Sequence, residues 1–497
     1  MTEGYENLFT LKNGSVIMDE DLSKKLFTIS AENPASSPVD STGYVWNDEG
    51  LADLFSKIYE YEVRYVPSWK SWYAYDQGRW AKDIEGLICE NKLGEFMALM
   101  RIYASQIQDD DKREKYFKFV NKYSDHRYLL RVKAQAKSKL IIDAREFDKD
   151  PYIVNCLNGT YSLYDHTFKE HEAKDFLTKQ TNFDYTVSRD AKCPRWLQFI
   201  DEVCQGDKQK ADFLQRSLGY SLLGEAREEC MFILYGKTTR NGKSTLLNTI
   251  QYMLGDYSAV APVGLICKNK RGGSDFEAAS PVLAGLKGKR FVTMSESNEY
   301  GKLDEEKIKL LTGGEEISAR ALYQEAMSYL PQFTLWLSCN ELPSVSDRSI
   351  FASDRIKVID FNRHFGADER DPHLKDELIK KESMKGIFNW LVRGYIHYRK
   401  DGLKMPKSLQ MVVNQYEKDN DTVMMFLEER CVRREDGSIK SKDLFTLYKS
   451  WCRAEGYGVI SARKFNDEME RHPEYYDRAT KSHGYLTYYG IGIQEVI

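Results

Sequence analysis

The segment GKTTRNGKST at 236–245 lies between an apolar run, MFILY, and an amphipathic stretch, TLLNTIQYML. A glycine-rich turn between a strand and a helix aims backbone N–H groups at phosphate oxygens, and the helix dipole there favours anions. In such a loop Lys243 reaches the outer phosphates of ATP and the Ser244 hydroxyl holds Mg2+, while Gly236, Asn241, Gly242 and Thr245 complete the nucleotide cradle. Gly236 and Gly242 stand one residue further apart than in the general pattern. Alone, the motif signifies nucleotide binding and no more.

Three further residues fall at positions where a nucleotide would need them. The run RFVTMSE ends in Ser295 and Glu296. A carboxylate at the C-terminal edge of a strand beside a phosphate loop orients Mg2+ and the attacking water. Glu296 is the candidate acid, with Glu299 as a helper, and Ser295 stands where many such ATPases carry an aspartate. The run FTLWLSC ends at Asn340, an amide able to bond the γ-phosphate or the lytic water. Arg355 precedes IKVIDF, and from a neighbouring subunit such an arginine stabilises transition-state charge. Each is an ordinary turn or surface residue by itself; their order and spacing raise them together.

The elements that must position these residues are short apolar runs (FILYG, RFVTMSE, FTLWLSCN, RIKVIDF) separated by helical or loop segments, an α/β layout with a largely parallel sheet. Before them, PRWLQFIDEVCQGDKQKADFLQRSLGYSLL reads as amphipathic helix on both sides of Gly206, and NCLNGTYSLYDHTFKEH as two short strands turning at Asn158-Gly159. Residues 1–40 end in a Pro/Ser-rich stretch that reads as a linker. SWKSWYAYDQGRW suggests a β-hairpin around a D-Q-G turn, and 85–145 carry helical periodicity with many charges. The aromatic residues between Trp46 and Trp80 read as a small core rather than a base-stacking surface. Asp109-Asp110-Asp111 reads as a helix-end charge run. After these runs, 374–418 return to amphipathic helix. From Asp421 the order helix, strand, two helices and a terminal hairpin is that of a winged helix, which would contact DNA or dock a protein.

Composition narrows the function classes. The chain has 497 residues, a formal charge of -4 and 30% charged residues, so several domains are expected, and binding of nucleic acid needs locally focused positive charge. Its nine cysteines include no C-x-x-C pair, which points away from structural zinc and towards a reducing compartment. The start has no basic-then-apolar signal pattern, and no apolar run approaches the ~20 residues of a membrane helix. A cytoplasmic protein without a membrane partner is expected, in the bacterial host if phage or plasmid encoded.

Taken in order, LYGKTTRNGKST, RFVTMSE, KIKLLTGGEEISARALY, LSCNELP and DRIKVIDFNRHF resemble the superfamily 3 helicases, specifically the helicase half of phage/plasmid primases and their poxvirus-type relatives. The resemblance spans about residues 150–495. It implies an AAA+-like P-loop ATPase core at 226–375, a mainly helical domain before it at 151–225, a helical connector at 376–420 and a winged helix at 421–497, behind an accessory region at 1–150. It assigns phosphates and Mg2+ to Gly242, Lys243, Ser244 and Thr245, the Walker B acid to Glu296, the sensor to Asn340 and the trans-acting finger to Arg355. It also implies a ring, usually a hexamer, that uses ATP and Mg2+ to translocate on single-stranded DNA, with the hairpin after Gly313-Gly314 in its channel. The hairpin turn Gln324-Glu325-Ala326 lacks a lysine. Arg320, or Lys307 and Lys309, would then grip DNA, with KNKR (Lys268, Lys270 and Arg271 among its residues) and KGKR at 287–290 as alternatives. Residues 1–150 show no metal-binding carboxylate pattern, so primers are expected from a separate primase. A second reading keeps the same fold and makes the protein an origin-binding initiator, in which ATP drives assembly. A kinase-type P-loop enzyme would have no reason to combine a sensor amide, a finger arginine and a Gly-Gly hairpin.

Overall fold

The computed structural model describes residues 10–12, 15–17, 46–105, 107, 109–185, 192–268, 281–295, 302–320, 326–345, 349–482 and 484–494. Most of the expected linker at 1–40 lies outside them, apart from a small hairpin of β1 (Thr10–Lys12) and β2 (Ser15–Ile17). The chain separates into two compact units near 185/186.

In the first unit, α1 (Asp48–Tyr59) leads into an antiparallel sheet of β3 (Val63–Val66), β4 (Ser71–Asp76) and β5 (Arg79–Asp83). The β4–β5 turn is Gln77-Gly78, both with positive φ (47° and 81°), the twist that a two-residue hairpin requires. Three helices follow: α2 (Leu87–Ser105), α3 (Asp110–Tyr123) and α4 (His126–Lys139). Asp109 caps α3 by accepting from the Lys112 N–H at 3.0 Å, so the aspartate run is a helix start. The tryptophans serve as core: Trp72 packs with Phe55, Phe96 and Val132, and Trp80 with Phe147.

A second small sheet, β6 (Ile153–Cys156), β7 (Gly159–Ser162) and β8 (Phe168–Lys169), belongs to this unit. Its residues and those after it hold the hairpin turn directly. Asn155 Nδ2 donates to Gly78 O at 3.0 Å, Gln180 Nε2 to Gln77 O at 2.9 Å, and Trp80 Nε1 to Ala173 O at 2.7 Å. Residues 151–185 therefore lie with the segment before them, whereas the sequence pattern groups them with the helices after.

The second unit opens with α5 (Pro194–Cys204) and α6 (Lys208–Tyr220), separated by Gln205 and Gly206 in the left-handed region. A five-stranded sheet follows, ordered β10 (Ser258–Val260), β11 (Phe291–Ser295), β14 (Thr334–Cys339), β9 (Met231–Tyr235), β15 (Ile356–Asp360), and every pairing is parallel. Both faces are covered, which is why the strands read as unbroken apolar runs. On one side Met231, Ile233, Val292, Leu335 and Val358 join the main core. On the other Phe232 stacks on Trp336, whose indole N–H donates to Ser221 Oγ at 3.0 Å.

The helix after the parallel sheet, α9 (Lys381–Asp401), lies against α6 from before it. Two glycines make the approach possible: a Cβ at Gly219 would collide with the Tyr395 backbone, and one at Gly394 with the Gln215 carbonyl. Gln215 Nε2 donates to Trp390 O at 2.8 Å, and the Trp196 and Trp390 rings meet edge to face. The expected connector is thus one layer with the helices that precede the sheet. Through α10 (Lys407–Asp419) the chain reaches α11 (Thr422–Arg430), β16 (Cys431–Lys440), α12 (Ser441–Ala454), α13 (Ala462–Met469) and the hairpin β17 (Arg478–Ser482)–β18 (Tyr485–Ile493), with β18 central in the sheet.

Two outcomes follow from this packing. Gly394→Ala should lower stability by about 1–3 kcal/mol, since backbone rather than a flexible side chain obstructs the methyl; the shift of the urea midpoint measures it. In the C-terminal segment, buried His472 has Nε2 2.9 Å from Oδ2 of buried Asp421, the cap of α11. Burial pulls the imidazole pKa down, but the Asp421 hydrogen bond and charge, helped by Glu474, carry it above its ordinary 6.5. A raised value in the folded state means a stabilisation that is complete below the unfolded value and lost as pH rises through the folded one. Thermal melts from about pH 6 to about pH 9 should show wild type losing about 2 kcal/mol relative to His472→Gln; parallel curves would contradict it.

Candidate nucleotide site

All five strands point their C-terminal ends the same way, so the segments leaving β9, β11, β14 and β15 gather along one edge. The loop Gly236–Gly242 leaves β9 there and ends at α7 (Lys243–Leu254), with Gly242 at φ 86° as the residue before the helix. Only glycine fits the loop's ends. A Cβ at Gly236 would strike the Asn241 amide and the Phe361 carbonyl, and one at Gly242 would lie 2.6 Å from Val203 of α5.

Lys243 is buried, with its ammonium inside the loop, donating to Gly236 O at 3.1 Å and to Asn340 Oδ1 at 3.0 Å. That second bond joins two of the sequence candidates across 97 residues. It exists because β9 and β14 are parallel neighbours in register, Cys339 beside Tyr235, so Asn340 emerges next to the loop. Asn241 folds back on the loop, its amide donating to Thr238 O at 2.6 Å. Ser244 is exposed on the first turn of α7, and Thr245 is half-buried beside it. Lys243, the Ser244 hydroxyl and the N–H groups of that first turn form a donor set suited to phosphate, and the Ser244 oxygen is a hard ligand suited to Mg2+. Ser295 ends β11 at the same edge; Glu296 and Glu299 lie outside the described residues, as do Lys270, Arg271 and the hairpin-turn residues Gln324 and Glu325.

Arg355 lies at the other end of the sheet. Its carbonyl accepts from the Met231 N–H at the start of β9, about 16 Å from the phosphate loop along the strand at ~3.3 Å per residue. Its guanidinium donates to Thr312 Oγ1 at 2.9 Å and to Glu229 Oε2 at 2.7 Å. Within one chain it is remote from Lys243.

The candidate DNA contacts divide by environment. Lys307 donates to Cys267 O at 2.8 Å, and Lys309 reaches Glu305 Oε1 at 3.4 Å; both sit on α8 (Glu305–Thr312). Arg320 and Lys268 are exposed. The hairpin after Gly313-Gly314 is present as β12 (Ile317–Ala319) and β13 (Met327–Tyr329). In KGKR, Arg290 is buried, donating to Leu222 O at 2.7 Å and lying over the Tyr257 ring, and Lys289 holds Asp256 O. That segment is structural.

Two braces were missed by reasoning from the sequence. The segment after β15 lines the phosphate loop: Phe361 N donates to Tyr235 O at 2.6 Å, Phe365 N to Arg240 O at 2.9 Å, and His364 Nδ1 lies 2.9 Å from Thr239 O. The signal was the FNRHF that ends the fifth motif. Beyond Asn340, the loop to Val345 is held by α10, with Val345 N donating to Asn420 Oδ1 at 2.7 Å and the Tyr416 hydroxyl to Pro343 O. Burial also pushes the thiols of Cys89, Cys204 and Cys230 up to about 12, which keeps them protonated and inert.

Gly236→Ala should leave the melting temperature within a few degrees yet weaken binding of a fluorescent ATP analogue by at least about tenfold. Unchanged affinity would mean that the loop does not hold nucleotide.

Among described residues, no helix is long and apolar enough to cross a membrane. Family models match three stretches: D5 N terminal like at 52–205, a family of unknown function at 234–355, and Poxvirus D5 protein-like at 418–490. A provisionally named helicase of Acanthamoeba polyphaga mimivirus is 25% identical over 421 residues, covering 78% of this chain and 43% of the relative. The protein named Primase D5 of Fowlpox virus (strain NVSL) is 25% identical over 258 residues, 48% of this chain and 31% of the relative. The chain therefore spans less than half the length of either relative. Among solved structures, the apo C-terminal region of NrS-1 aligns over 87% of this chain and 96% of its own, with 11% identity and a TM-score of 0.45. The chain thus carries two segments similar to D5-type models, and the relatives it resembles, from large DNA viruses, are named as helicases or as Primase D5.

Proposed function

We propose that the protein is an ATP-dependent replicative DNA helicase of a virus, phage, plasmid or other mobile element, acting as a ring on single-stranded DNA. The observation that carries this is the bond from Lys243 Nζ to Asn340 Oδ1 inside a glycine-bounded loop. It makes the lysine and the sensor amide one unit at the edge of an all-parallel sheet, which supports reading the core as an AAA+-like P-loop ATPase. ATP with Mg2+, held by Lys243, Ser244 and Thr245 with Glu296 as the acid, would supply the free energy of phosphoryl transfer. The part of the protein is to place donors. Lys243 exchanges its carbonyl and amide partners for phosphate oxygens, and Asn340, released, turns its amide to the γ-phosphate or the water.

Arg355 fits the ring. It is too far from its own loop to serve there, so any role in hydrolysis is exercised on a neighbour, once it has left Glu229. A homohexamer is proposed on that ground and on the family resemblance, with priming left to a separate protein. Arg320 and Lys268, exposed on the motor, are the DNA contacts retained in this proposal; Lys307 and Lys309 are tied to their own chain.

One observation favours an additional initiator role. The C-terminal order of helix, strand, two helices and hairpin supports the winged-helix reading, in which Arg463 on α13 faces solvent.

The test is ATP hydrolysis with and without single-stranded DNA. Lys243→Ala and Arg355→Ala should each reduce DNA-stimulated turnover by about a hundredfold or more, and mixing the two should restore part of it through shared sites. Absence of hydrolysis in the wild type would refute the motor, and tight binding to one duplex sequence without strand separation would favour the initiator.

A further inference from the structure

A dense run of positive charge lies in the first unit, outside the sequence motifs described above. Residues 112–139 contain ten Lys and Arg against two Asp and Glu, a formal +8 in a chain whose total is -4. The second helix of this pair, α4, carries five basic residues and no acid. Its exposed face presents Arg127, Arg131 and Lys137, with Ala134 and Ser138 between them and Leu130 alongside.

How these cations are held matters more than their number. On most surfaces lysines and arginines find carboxylates, as Lys139 does with Asp53 and Lys133 with Glu90. Lys122, Arg131 and Lys137 form no ion pair among the described residues. Each rests instead on a tyrosine ring. Lys122 and Arg131 both lie 5.1 Å from the centroid of Tyr128, and Lys137 lies 4.2 Å from that of Tyr65. A cation over a ring is oriented while its N–H donors stay unspent. Donors fixed in place and left without an anion are what a phosphodiester backbone needs. Arg127, which is exposed and donates to Asp125 Oδ1 at 3.2 Å, lies ~6 Å from Arg131 along the helix axis and Lys137 is ~9 Å further on, so the three cations form a row on one face. The small residues between them let a strand approach closely, and Leu130 and Tyr128 offer apolar surface to its bases.

We propose that the exposed face of α4, with Lys122 beside it, binds the backbone of single-stranded DNA, giving the first unit a nucleic-acid site separate from the motor. The choice of DNA as occupant rests on the helicase reading; the site itself rests on the charge and ring geometry. Full-length protein should be titrated, without nucleotide, against a fluorescent oligo-dT of about 30 residues over a range of salt. Replacing Arg127, Arg131 and Lys137 together by alanine should weaken binding at least about tenfold near 50 mM salt. It should also reduce the slope of log K against log salt by about 2, three contacts at ~0.7 each. The variant Arg127→Lys/Arg131→Lys should keep the wild-type slope, and α4 should gain protection from hydrogen exchange when oligo-dT is added. Basal ATP turnover should not change in any variant, so a failed motor reading would show there and not in the salt slope. An unchanged slope in the alanine variant, lack of protection at α4, or equal competition by poly-glutamate would each overturn the proposal.

Discussion

One buried ammonium organises the unit built on the parallel sheet. Lys243 is drawn into the phosphate loop by the Gly236 carbonyl and the Asn340 side chain, which come from adjacent parallel strands. A buried charge is tolerated only with such partners, so the loop, the register of β9 against β14 and the exit of Asn340 must all be right together. The glycine at 236 allows the approach, the chain after β15 braces the loop from one side, and Val203 of α5 closes against Gly242. Much of the second unit can be understood as holding those few atoms still.

The same sheet sets a polarity. Parallel strands place every C-terminal end on one edge, and with it the candidate nucleotide site, while Arg355 is confined to the other. Glu229 balances its charge where it stands, and the Thr312 hydroxyl accepts a hydrogen bond from it. On the proposed reading of Arg355 as a trans-acting finger, that separation turns a property of strand direction into a requirement for subunits.

Much of this was legible in the residues. Short apolar runs bounded by turns signalled every strand of the parallel sheet except β10, whose three residues, SAV, are too few to signal. The D-Q-G turn and the break at Gly206 were readable because each needs a backbone conformation that few residues adopt. What could not be read was pairing at long range. A glycine within a helical pattern, such as Gly219 or Gly394, signals locally only a weaker helix; that each exists for the other appears only when α6 and α9 touch. Charge misled for a related reason. Lys307 and Arg290 look like grips in the sequence, yet a carbonyl from a distant loop occupies each, whereas the cations of α4 passed as an ordinary charged helix.

The contact of α6 with α9 also has a meaning in time. The bond from Gln215 to Trp390 closes a loop of 175 residues, and the whole parallel sheet lies within it. During synthesis, α6 emerges with its glycine face bare and finds its partner only after the motor has been made. The helical layer is therefore a late closure, added once the sheet offers Phe232 and Trp336 as a floor. A contact of such sequence separation forms slowly, and it fastens the segment before the motor to the segment after it. The sheet is enclosed by a clasp that the chain can shut only once the strands between Gln215 and Trp390 have been made.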